Sequence, residues 1–122
     1  MEVKKPFDIR ARAFNFAVRI VKLCQFLEKK TDVSRTIVAQ LLDAGTSVGA
    51  NLEEAAAGQS RRDFVHKNAI ALKEARESCY WLKLIRASYN FEASVEHGID
   101  ELKDEANEIA NIVAQIMINS QK

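Results

Sequence analysis

The chain has 122 residues, 48% of them apolar, with 18 basic and 17 acidic side chains for a net charge of +1. That length is one domain with enough apolar material for a core of its own, and the balanced charge argues against a dedicated, strongly cationic nucleic-acid binder. Cys24 and Cys79 stand far apart with no paired-ligand spacing, no apolar run reaches the roughly 18 residues of a membrane span, and the first residues lack a signal-peptide core, so a cytoplasmic protein is expected.

Pro6 is the single proline and the glycines are 45, 49, 58 and 98, which leaves long stretches free of breakers and predicts helices over about 8–30, 34–57, 61–89 and 97–119. In the first, Lys29 and Lys30 suit a helix C-terminus, and Ser34 after Thr31-Asp32-Val33 supplies an N-cap for the second. The first helix carries two apolar stripes, Phe14, Val18 and Val21 on one and Phe16, Ile20, Leu23 and Leu27 on the other. With Ala13, Ala17 and Cys24 they span roughly 220° of the wheel, twice the arc of about 100° that a helix in a monomeric bundle must bury. The stripe Phe16, Ile20, Leu23 and Leu27 is therefore the predicted subunit interface.

The second helix has a core stripe of Ile37, Leu41, Ala44, Val48, Leu52 and Ala55, beside a smooth stripe of Gly45, Gly49 and Ala56. Two glycines inside a helix cost about 1 kcal/mol each against alanine, so the close approach of another helix backbone is expected to compensate. Gly45-Thr46-Ser47-Val48-Gly49 has no lysine after its last glycine and no preceding strand, so it is no phosphate loop. Gly58 sits where a C-cap belongs, and Ser60 with Asp63 resembles a capping box that opens the third helix.

On the third helix Phe64, Ala71, Ala75, Leu82, Ile85 and Tyr89 share one face. A neighbouring stripe of Ile70, Glu74, Glu77, Trp81 and Leu84 sets two carboxylates between apolar groups, as Glu53 is set beside Leu42, Thr46 and Gly49 on the second helix. Partly buried carboxylates need cations or donors, which predicts a packed salt-bridge network there. Residues Asn90 to Ser94 read as a connection, with His97 at its end or just beyond. Short connections make consecutive helices antiparallel, and the whole chain is predicted to be all-α, one up-down four-helix bundle over residues 1–122.

A bundle with inward glutamates raises the possibility of a two-metal oxidase, which needs a Glu-x-x-His on each of two helices. Only Asp63-Phe64-Val65-His66 approximates that spacing, and Glu74-Ala75-Arg76-Glu77 has glutamate in the histidine position. No cysteine or serine has a base identified beside it. The expected catalytic, cofactor and metal residues are none, and a carboxylate-metal enzyme stays a remote alternative.

Charge is sorted along the chain: residues 1–30 carry +5, 31–58 carry −3, 59–90 carry +4 and 91–122 carry −5. Every pair of consecutive helices thus joins a basic to an acidic one. Arg10, Arg12, Arg19, Lys22, Arg61, Arg62 and Lys83 are the candidate nucleic-acid contacts if the basic helices stay exposed, and repetition in an oligomer would add avidity.

The run Thr46-Ser47-Val48-Gly49-Ala50-Asn51-Leu52-Glu53-Glu54-Ala55, then Ser60-Arg61-Arg62-Asp63-Phe64, then Lys73-Glu74-Ala75-Arg76-Glu77 leading to Tyr80-Trp81-Leu82, resembles the bacterial 23S ribosomal RNA intervening-sequence proteins. The resemblance implies an antiparallel bundle that forms homopentamers, with no established catalytic residues. It marks Gly49, Asn51, Glu53, Glu54, Asp63, Lys73, Glu74, Glu77, Tyr80 and Trp81 as signature positions with a structural role. The function it implies is a non-enzymatic, self-associating bundle that serves as a ribosomal-RNA or ribonucleoprotein adaptor. The alternative is a protein-only scaffold that recruits a partner such as a reverse transcriptase. Relatives that act beside such an enzyme are strongly basic, and this chain is not.

Overall fold

A computed structural model describes residues 8–58 and 60–121, which form the helices α1 (Ile9–Glu28), α2 (Arg35–Ala57), α3 (Arg61–Ser88) and α4 (Ala93–Ser120). Three of the helix starts use a side-chain cap. Asp8 Oδ1 accepts from Arg10 N at 2.9 Å, Ser34 Oγ from Ile37 N at 3.3 Å and Ser60 Oγ from Asp63 N at 3.0 Å, each satisfying a donor the first turn leaves without a partner. Gly58 does occupy the C-cap of α2, but with φ −65° and ψ 152° it is extended, so the left-handed freedom of glycine is not what ends the helix.

Consecutive helices pack side by side and α4 returns to α1, closing an up-down bundle; α1 against α4 is the least extensive of the four contacts. The core is a continuous apolar column that includes Phe16, Ile20, Leu41, Val48, Leu82, Ile85, Ile99 and Ile109. Gly45 and Gly49 lie on the side of α2 that meets α1, as the smooth stripe requires. A Cβ on Gly45 would stand 2.8 Å from Ile20 Cγ2, whereas one on Gly49 would meet Ala13 at an ordinary 3.6 Å. The close helix approach that the glycines allow is thus made within the chain.

The fourth helix starts at Ala93, earlier than the expected residue 97. The Glu92 carbonyl accepts from Val95 and Glu96, and Phe91 and Val95 pack against the core, which holds the first turn in place. Arg86 adds ties from the end of α3, with Nη1 2.9 Å from Glu96 Oε2 and Nε 3.3 Å from Asp100 Oδ1. These contacts carry the helix through Gly98, a residue whose propensity alone favours a break. His97 consequently lies in α4, exposed and 3.8 Å from Glu101. At the same end Tyr89 Oη accepts from Ser34 N at 3.0 Å, joining the close of α3 to the start of α2. None of the described helices is long and apolar enough to cross a membrane.

Candidate functional site

The first apolar stripe of α1, rather than the second, faces away from the bundle. Phe16, Ile20 and Leu27 are buried in the core and Leu23 is half-buried against it, so these four are not a free interface. Phe14 is 67% and Val18 37% exposed, one turn apart on the outer side. The physical reason is extent. The inward stripe runs unbroken from Ala13 to Leu27, spanning the helix, while the Phe14 stripe meets Gln25 after three turns. Beside Phe14, a shallow depression is lined by Ala11, Asn15, Arg10 and Glu53. On α2, Thr46 Oγ1 donates to Leu42 O at 2.7 Å, so its hydroxyl is satisfied within its own helix.

The cations of α1 are largely committed to carboxylates. Arg12 grips Glu105 through two hydrogen bonds, Nη2 to Oε1 at 2.6 Å and Nε to Oε2 at 3.1 Å, and also reaches Glu108 at 3.2 Å. Only 10% of the Arg12 side chain is exposed, and the Glu105 bonds raise its pKa further above the ordinary arginine value. Arg19 lies 3.4 Å from Glu101, and Arg10 lies 3.4 Å from Asp8 and 3.9 Å from Glu53. Arg12 is thereby withdrawn as a nucleic-acid contact, because its guanidinium is spent and covered; Arg10 and Arg19 are half-exposed but paired. Lys22 stays exposed. The alternation of helix charge works inside the molecule, as inter-helix bridges.

The carboxylates expected to form a network do not. Glu53 is exposed and 3.9 Å from Arg10, Glu77 lies 3.9 Å from Lys73, and Glu74 has no ion-pair contact within 4 Å among the described residues. Burial, reinforced by the negative charge of Glu77 and outweighing the nearby Lys73, pushes the Glu74 carboxyl up from its usual range; Asp43 adds to the rise. The network sits instead at Arg12–Glu105–Glu108 and Arg86–Glu96–Asp100, on residues whose wheel positions face the α4 contact.

Other signature positions serve the fold. Gly49 faces the Ala13 backbone. Asn51 Nδ2 donates to Ser47 O at 2.8 Å within its own helix. Lys67 Nζ stands 2.7 Å from Glu54 Oε2, pinning α3 to α2. Asp63 lies in the first turn of α3, where a negative charge suits the helix dipole. Tyr80 and Trp81 make an edge-to-face pair at 5.2 Å, with Tyr80 58% exposed and Trp81 half-buried. They border a shallow groove of about 510 Å³ together with Gln40, Leu72, Lys73, Arg76 and Glu77.

The cations left on the surface are concentrated on α3. Arg62, Lys73, Arg76 and Lys83 are exposed, and the only ion-pair contact recorded for these four among the described residues is the 3.9 Å approach of Lys73 to Glu77. Arg61 is exposed in the first turn. Lys73, read only as a signature position, and Arg76 were not among the expected nucleic-acid contacts because Glu74 and Glu77 dominate that stretch; the signal was the spacing 62, 66, 69, 73, 76, 80, 83, which places one residue per turn on a single line. No group of three or more His, Cys, Asp or Glu among the described residues is arranged to hold a metal ion.

Comparison with known proteins matches residues 5–115 to the profile of the 23S rRNA-intervening sequence protein family. A crystal structure of a protein of unknown function from the S23 ribosomal protein family of Bacteroides thetaiotaomicron VPI-5482 is 38% identical, with a TM-score of 0.79 over 90% of this chain and 98% of that one. No curated protein matches the chain.

Proposed function

The chain belongs to the 23S rRNA-intervening sequence protein family, and from that premise we propose that it is a non-enzymatic helical adaptor that assembles with copies of itself and works in a ribonucleoprotein setting. The observation that carries the reading is the outer face of α1. A Phe and a Val one turn apart, 67% and 37% exposed, form an apolar strip that a partner helix would cover. The family resemblance suggests five copies. The test is the mass of the protein in solution by light scattering, for the wild type and for Phe14→Asp and Val18→Asp. The expected result is an oligomer that falls to the 13.7 kDa monomer in both variants while helicity is kept. A wild-type monomer, or folded variants of unchanged mass, would sink the reading.

The protein-only scaffold is the second reading, favoured by the way α1 turns Arg12 and Arg19 toward α4 carboxylates instead of presenting them to phosphate. Anisotropy titration of a labelled ribosomal-RNA fragment at two salt concentrations separates the two. Salt-sensitive binding supports the ribonucleoprotein reading, and its absence at low salt leaves the scaffold.

A further inference from the structure

We propose that the outward line of α3, centred on Arg76, Tyr80 and Lys83, is a binding strip for single-stranded RNA. The inference deepens the ribonucleoprotein reading and rests on it for the class of ligand.

Seven basic residues lie between 59 and 90, but they do not have equal standing. Lys67 is held by Glu54 and Arg86 by Glu96 and Asp100. Of the other five, Arg61 is exposed in the first turn, and Arg62, Lys73, Arg76 and Lys83 recur along the outward face of α3. Between Arg62 and Lys83 that line is about 30 Å long at 1.5 Å per residue, and its exposed positions include no carboxylate. Glu77 borders the line beside Lys73, Glu74 and Asp43 lie further toward α2, and Asp104 of α4 flanks the other side near Cys79, so the carboxylates lie to the sides of the line and not on it.

A cationic line alone would attract any polyanion. Tyr80 makes this one more selective. Its ring is 58% exposed, and Trp81 steadies it edge-to-face at 5.2 Å, with Arg76 one turn before and Lys83 one turn after. An aromatic face set between phosphate-reaching cations is the arrangement that lets a base stack while its strand is neutralised on both sides. Duplex RNA keeps its bases stacked internally and gains nothing from the ring.

The test uses the full-length protein and a fluorescein-labelled oligouridine of about 20 nucleotides, titrated by anisotropy from ~50 to ~200 mM salt. The expected wild-type slope of log affinity against log salt is about −2 to −3, from roughly 0.7 per neutralised phosphate. Arg76→Ala with Lys83→Ala should weaken binding about tenfold or more and flatten the slope by about 1.4. Tyr80→Ala should weaken it by about tenfold with the slope unchanged, and Tyr80→Phe should restore it. All these side chains are exposed, so circular dichroism and oligomer mass should stay as in the wild type.

Wild-type binding that the α3 variants leave intact would overturn the strip while leaving the ribonucleoprotein reading in place. No wild-type binding at ~50 mM salt would overturn both. Equal competition by duplex RNA or polyglutamate, with Tyr80→Ala indistinguishable from wild type, would reduce the strip to unselective charge and overturn the proposal.

Discussion

Gly45 and Gly49 lie about one turn apart on α2 and face the same helix, yet they should answer differently to alanine. At Gly45 the new methyl would press on Ile20, a fully buried side chain that is branched at Cβ and cannot swing aside. Overpacking of about 1–3 kcal/mol there should exceed the gain of about 1 kcal/mol in helix propensity, so Gly45→Ala is expected to lower the denaturation midpoint. Gly49→Ala meets only ordinary contacts and should raise it by up to about 1 kcal/mol. Urea unfolding of the two variants decides the matter, and a stabilised Gly45→Ala would contradict the packing described. Glu74 gives a pH-dependent case. Its carboxyl is pushed up by burial and by Glu77, so the penalty is present above its folded pKa and disappears below the unfolded value near 4.5. Glu74→Gln should therefore raise the melting temperature at pH 7 and add nothing near pH 3.5. Equal gains at both pH values would show that charge is not the cause. Cys24 is the inert counterpart, its thiol driven to about 12 by burial and then by Glu28, so it packs as a small apolar group.

At the scale of elements, α1 shows how a helix with two apolar faces chooses which to bury. Both stripes were legible in the sequence, and so was the surplus of apolar arc over what one bundle needs. Which stripe is inside was decided by α2, whose Gly45 leaves room for Ile20 and whose Gly49 admits the Ala13 backbone. The contrast between the stripes is testable. Phe16→Asp should unfold the chain, as an unpaired carboxylate in the core does, whereas Phe14→Asp, at an exposed position, should leave the fold intact. Helix α4 teaches a related lesson about ends. Reading Asn90 to Ser94 as a connection put the start near 97, and the packing of Phe91 and Val95 with the Arg86 bridges carries the helix back to Ala93. The line of cations on α3 was readable as a one-per-turn spacing, but only the structure shows that Lys67 and Arg86 are spent and that Arg62, Arg76 and Lys83 have no ion pair among the described residues.

For the molecule as a whole, closure of the bundle depends on the narrow α1–α4 contact, and its most buried ion pair is the two-pronged Arg12–Glu105 bridge. Both side chains are nearly covered, at 10% and 14% exposure, so removing one leaves the other charged and poorly solvated. Arg12→Ala is expected to cost about 1–3 kcal/mol, measured by urea unfolding, and much more than Arg19→Ala, whose partner Glu101 is half-exposed. Equal small losses would mean that α4 is held by its apolar face alone. The helical pattern, the antiparallel order, the caps at Ser34 and Ser60, the family signature and the excess of apolar surface were all determined by the sequence itself, because each is a local periodicity or a short motif. Which α1 face is buried, which cations are spent in bridges and where α4 begins were decided only in the tertiary structure. Those outcomes depend on what stands opposite each side chain, and residues as far apart as Arg12 and Glu105 meet only once the fourth helix has returned to the first.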